Sequence, residues 1–160
     1  MSQHPTKNDL PEKTRNPIQD LLHARLADAI DLATQIKQAH WTVKGPHFYS
    51  LHKMFDDIHE DVQEYVDDIA ERAIQLGGQT AGTARAVAKA TSLPEYPLTA
   101  STGKDHVAAV STALAAFGKN VRAAIDQADE LKDRDTADLF TGVSRGVDKW
   151  LWMVEAHLEK

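Results

Sequence analysis

Cysteine is absent from this 160-residue chain. That excludes a disulfide framework, thiolate zinc or iron–sulfur sites, and a thiol nucleophile. Any bound metal must therefore sit on His, Asp or Glu. No apolar run approaches the roughly 18 residues of a membrane-spanning helix, and the opening MSQHPTKNDLPEKTRN has no secretory apolar stretch. The expectation is a cytoplasmic protein that makes no membrane contact. Positive charge is scarce, since 18 Lys plus Arg face 24 Asp plus Glu and leave a formal charge of −6. The overall field therefore opposes a nucleic-acid backbone, and only a locally basic element could bind one. Strand-like alternation, low-complexity tracts and internal repeats are missing as well.

What is present is helical periodicity over the length of one domain. Residues 1–15 are polar and contain Pro5 and Pro11; they read as a flexible N-terminal tail, leaving 16–160 as the folded domain. Asn16, Pro17 and Gln19 carry the signals of a helix start. Apolar residues from Ile18 through Leu22, Leu26, Leu32 and Ile36 to Val43 then recur at spacings of three and four until Gly45-Pro46. A second such pattern runs from Phe48 to Leu76 and ends at Gly77-Gly78, a helix-stop signal. Residues 79–102 form a long connection in which Ala84–Ala90 could make a short helix before Pro94 and Pro97. Two more patterns follow, Val107 to Ile125 and Phe140 to Leu158, with a turn near Lys132–Asp135. Two hairpins of long helices joined by a crossover predict an all-α, ferritin-like four-helix bundle, because the crossover makes the second and third long helices parallel.

The second helix carries the chemistry. Between Asp56 and Glu71 it holds eight acids and no Lys or Arg. A solvated face is the ordinary explanation of a charge run, but such faces mix in cations at i,i+4, and this one does not. His52 with Asp56, and Asp67 with Glu71, are i,i+4 pairs, each projecting toward a point where a cation could be shared. All four lie on one stripe, since eleven residues at about 100° each return to within about 20° of the same direction. Yet Asp56 and Asp67 are about 16 Å apart along the axis, too far for one ion with bonds of about 2.0–2.6 Å. If the helix packs against its two-fold mate, the ends swap partners and two identical sites form between subunits. The Glu-x-x-His pair of a di-iron centre inside a bundle occurs nowhere in the chain. His40 ends the apolar stripe of the first helix, and the short turn brings it beside His52; both a buried structural histidine and a ligand fit that position. Mixed imidazole and carboxylate donors suit iron(II) or zinc better than calcium or magnesium.

The segment QAHWTVKGPHFYSLHKMFDDIHEDVQEYVDDIAER, with DKWLWMVEAHLE near the end, resembles the Dps family, the DNA-binding proteins from starved cells or miniferritins. The spacing His-x11-His-x3-Asp-x10-Asp-x3-Glu carries the resemblance. It implies that His40, His52 and Asp56 from one subunit and Asp67 and Glu71 from its two-fold mate form a catalytic iron site. It further implies a dodecameric shell that oxidises iron(II), preferentially with hydrogen peroxide, and stores iron(III) mineral. Trp41 and Trp152 match family positions near that site, although large aromatics also simply pack well.

Other groups have plainer readings. His47, His59, His106 and His157 read as surface or cap histidines, His59 with a chance of incidental metal binding. The acids Asp126, Asp129, Glu130, Asp133, Asp135 and Asp138 are either a solvated turn or, as the resemblance implies, a pore that draws in cations. Gly142 and Gly146 are placed for close helix approach. Lys7, Lys13 and Arg15 against Asp9 and Glu12 make the tail only weakly positive, so DNA is expected to bind weakly and to be released at moderate salt. Two other readings stay open: a DNA-compacting protein with a vestigial metal site, and a plain helical oligomer.

Overall fold

The computed structural model describes residues 4–158, all in helices, turns and extended segments. The helices are α1 (Glu12–Thr42), α2 (Phe48–Gln75), α3 (Ala84–Ala90), α4 (Gly103–Glu130) and α5 (Arg134–Glu155). The first and second long helices form one antiparallel hairpin, and α4 with α5 forms the other. Gly103, at the start of α4, lies against Leu51 and Lys44, whereas Arg72, near the end of α2, reaches Asp133 in the α4–α5 turn. The start of α4 thus lies by the start of α2, and the two run parallel, as the crossover requires. Packing of α1 on α4 and α2 on α5 closes the bundle. Among the described residues no helix is long and apolar enough to cross a membrane.

The apolar stripes meet in a single core. Ile18, Leu22, Leu32, Ile36, Phe55, Ile58, Ile69, Leu114, Phe117 and Phe140 are fully buried in it. Helix ends follow local chemistry. Gly77 takes a left-handed φ of 84°, and the N–H groups of Gly77 and Gly78 donate to the carbonyls of Ile74 and Ala73, which satisfies carbonyls that α2 would leave open. Thr102 and Asp105 make a capping box at the start of α4. Asp133 caps α5 by accepting from the Thr136 N–H.

One boundary differs from the sequence reading. The first helix begins at Glu12, a turn before the Asn16-Pro17 signal, and Pro17 lies inside it. Tertiary bonds explain the extension: Arg15 donates from Nε to the Leu10 carbonyl and from Nη1 to the Leu76 carbonyl. Those bonds tie the first turn to the end of α2 and offset the i→i−4 hydrogen bond that Pro17 cannot make. Ahead of the helix, the His4 N–H donates to the Gly77 carbonyl at 2.9 Å.

A buried carboxylate joins three elements. Asp28 of α1 is fully buried and accepts from Arg25 Nε, the Ser92 N–H and Asn120 Nδ2 at 3.0, 2.8 and 3.1 Å. It fixes the crossover to both α1 and α4.

Candidate metal centre

His40 lies in the last turn of α1 and His52 in the second turn of α2, so the short intervening turn sets them face to face. Their rings stack with centroids 3.8 Å apart. Each Nδ1 lies within hydrogen-bonding distance of the other residue's main-chain carbonyl, 2.8 Å from His40 to His52 O and 2.9 Å from His52 to His40 O. A carbonyl oxygen only accepts, so both Nδ1 atoms carry the proton and both Nε2 atoms keep a lone pair. Backbone carbonyls commonly fix metal-binding imidazoles in this way.

Asp56 follows one turn after His52, and its Oδ1 lies 3.8 Å from His40 Nδ1. Lys37, one turn before His40, donates from Nζ to the same Oδ1. That bond, more than any other influence, holds the Asp56 carboxyl below the usual carboxylate range. Three of the five residues singled out therefore gather at the α1–α2 turn, with an ammonium group among them.

Asp67 and Glu71 lie elsewhere. Both are exposed on α2, nearer its C-terminal end, and the helix sets Asp67 about 16 Å and Glu71 about 22 Å from Asp56 along its axis. Among the described residues, no three His, Asp or Glu side chains gather so that they could hold an ion. A single chain thus presents two partial donor sets on one face of α2.

Comparison with known proteins agrees with this architecture. The ferritin-like domain profile matches residues 19–160. The DNA protection during starvation protein of Agrobacterium fabrum is 41% identical over 160 residues, covering 100% of this chain and 99% of that one. The chain is a member of the Dps family of ferritin-like proteins. Among solved structures, the tetragonal form of Mycobacterium smegmatis Dps matches with a TM-score of 0.93 at 32% identity, over 98% of this chain and 96% of that one. Streptomyces coelicolor DpsC matches with a TM-score of 0.94 at 28% identity, over 99% and 93% of the two chains.

Within this Dps-family bundle several residues differ from their sequence reading. His106 is no surface group: it is 1% exposed, and the Tyr96 hydroxyl bonds its Nδ1 at 2.6 Å. Its position on the apolar face of α4, one residue before Val107, was the available signal. His59 is half-buried against α1, with its Nδ1 bonded to the Ala33 carbonyl at 3.1 Å, which leaves its imidazole facing inward. Asp133 is 2% exposed; it receives Arg72 Nη2 at 2.8 Å and has no free carboxylate for a pore. Asp126, Asp129, Glu130, Asp135 and Asp138 are exposed.

Trp41 and Trp152 are each 68% exposed, so neither fills the core of the chain. Trp150 donates from Nε1 to Asp61 Oδ2 at 2.7 Å, giving one acid of the α2 run a neutral partner on α5. Gly146 admits the Tyr65 hydroxyl where a Cβ would otherwise stand, while Gly142 faces open space. Lys37 is the residue that sequence reasoning missed. Lys53 pairs with Asp57 along α2 itself at 3.8 Å, but the cation on Asp56 comes from the neighbouring helix, where an i,i+4 search along α2 does not look.

Proposed function

We propose that the protein is a ferroxidase and iron-storage cage, in which His40, His52 and Asp56 of one chain and Asp67 and Glu71 of a two-fold-related copy bind iron(II) together. The reading is carried by the pair of imidazoles whose Nδ1 protons are spent on carbonyls, leaving two Nε2 lone pairs beside Asp56. Antiparallel packing of α2 on its mate would bring the exposed Asp67 and Glu71 pair of the copy to that point, and symmetry would make two such sites. Iron is the substrate. Two iron(II) ions each give one electron to hydrogen peroxide, which takes up two protons; the O–O bond breaks and two waters and two iron(III) ions result. Pairing the donors at one site avoids release of a one-electron oxygen radical. Carboxylates favour the iron(III) product as hard donors.

Iron(II)-dependent peroxide consumption tests the reading. Glu71→Ala should lower the rate by about 10-fold to 100-fold, as expected for a disturbed metal site; an unchanged rate would remove the ferroxidase assignment. Twelve copies of the 17.7 kDa chain would scatter light as a particle of about 212 kDa with closed symmetry. DNA has a minor place in this reading. Asp9 and Glu12 are as exposed as Lys7 and Lys13, and the chain is net negative. A mobility shift seen at low salt should vanish at moderate salt.

A further inference from the structure

One end of the bundle, where α1 turns into α2, α4 begins and α5 ends, gathers positive charge in a chain that is otherwise acidic. A cavity of about 460 Å³ opens there, and Lys44, His47, Lys104 and His157 line it. Its size is that of a small-molecule site. The apolar wall includes Leu51 and Val107, both buried. Among the described residues no Asp or Glu lines this cavity, whereas the two beside the crossover are lined by Glu95 together with Asp105 or Asp31. Among the described residues neither Lys44 nor Lys104 is engaged with a carboxylate. Asp105, next to Lys104 in the chain, is already committed to the N–H groups of Ser101 and Thr102.

The net charge does not decide what enters. At physiological ionic strength the screening length is about 8 Å, so a ligand in the cavity responds to the cations around it and not to carboxylates at the far end of α2 or α5. The N–H groups of Gly103 and Lys104 at the start of α4 lack intrahelical acceptors and add donors to those of the four side chains. Several donors round an anionic group, with aliphatic wall beneath, fit a dianion carried on an apolar body. The cavity shares the α1–α2 turn with the His40–His52 cluster, but neither histidine lines it, and the proposal does not depend on the iron reading.

We propose that this cavity binds a phosphomonoester of small apolar body, its phosphate held by Lys44, Lys104 and the two imidazoles and its apolar part lying on Leu51 and Val107. Equilibrium dialysis of the full-length assembled protein against phenyl phosphate, inorganic phosphate and benzyl alcohol tests it. Phenyl phosphate should bind saturably at one site per chain, about tenfold more tightly than inorganic phosphate, with benzyl alcohol weaker still. Lys44→Ser and Lys104→Ser, both exposed positions, should each weaken phenyl phosphate about tenfold, and Lys119→Ser on the side of α4 should leave it unchanged. Unsaturable uptake, equal binding of all three probes, or affinity unmoved by both cavity lysines would overturn the proposal.

Discussion

His40 and His52 lock each other's protonation pattern through the backbone, each ring giving its Nδ1 proton to the carbonyl of the other. Neither imidazole can rotate without breaking a bond that belongs to its partner's residue. The two Nε2 lone pairs are thereby set before any cation arrives, and little ordering remains when one binds. Because each bond spans α1 and α2, the arrangement is as rigid as the hairpin that carries it.

Complementation between two inactive variants tests whether the proposed site is shared. In a mixed dimer of His52→Ala and Glu71→Ala chains, one of the two symmetric sites loses both groups and the other keeps its full set. Each variant alone should lose nearly all peroxide consumption, whereas random co-assembly should restore about one quarter of the wild-type rate. No recovery on mixing would place all ligands in one chain.

At the proposed iron site, Lys37 would compete with the metal for Asp56. Replacing it with Met should let the Asp56 carboxyl rise toward its ordinary pKa and should tighten iron(II) binding by about threefold to tenfold, the scale of an exposed ion pair. An anaerobic iron(II) titration measures this. Equal affinities would mean that the ammonium moves aside without resistance.

His106 makes stability depend on pH. Burial holds its imidazole below the ordinary histidine value, while the Tyr96 hydroxyl, pushed up to about 12 by burial, remains a donor to it. The unfolded ring takes a proton near pH 6.5 and the folded ring only at lower pH, so protonation favours the unfolded chain. This contribution is complete above about pH 6.5 and is lost as pH falls through the folded value. Calorimetry should show the wild-type Tm falling more between pH 7.5 and pH 5.5 than that of His106→Gln, on the order of a few degrees; parallel curves would assign the acid sensitivity elsewhere.

Asp28→Ala should be severely destabilising. It strands Arg25 and the Ser92 and Asn120 donors around a buried hole, and losses of this kind run to about 3–5 kcal/mol. Urea denaturation gives the number, and a loss below about 1 kcal/mol would show that the crossover is held by other contacts.

The long helices, the short α3 and the parallel relation of α2 and α4 could all be read from periodicity and loop length, because burying one apolar stripe per helix leaves few arrangements. That His52 and Asp56 lie one turn apart on α2 was visible for the same reason: helical spacing fixes it. Contacts between elements were not legible. Lys37 reaches Asp56 through the register of α1 on α2, and Asp133 turns inward onto Arg72, a partner 61 positions earlier in the chain. His106 was read as a solvent group from its residue type, although its place on the apolar face of α4 pointed inward. The first turn of α1 was missed since Arg15 and Leu76, not a capping side chain, hold it.

Gly77 and Gly78 do more than stop α2. A Cβ on Gly77 would lie 2.9 Å from the His4 carbonyl and 3.1 Å from Arg15 Nη1, so this one left-handed glycine is the seat on which the beginning of the chain rests. Fraying at residue 4 and fraying at the last turn of α2 are therefore one event, and amide hydrogen exchange at the two places should rise and fall together.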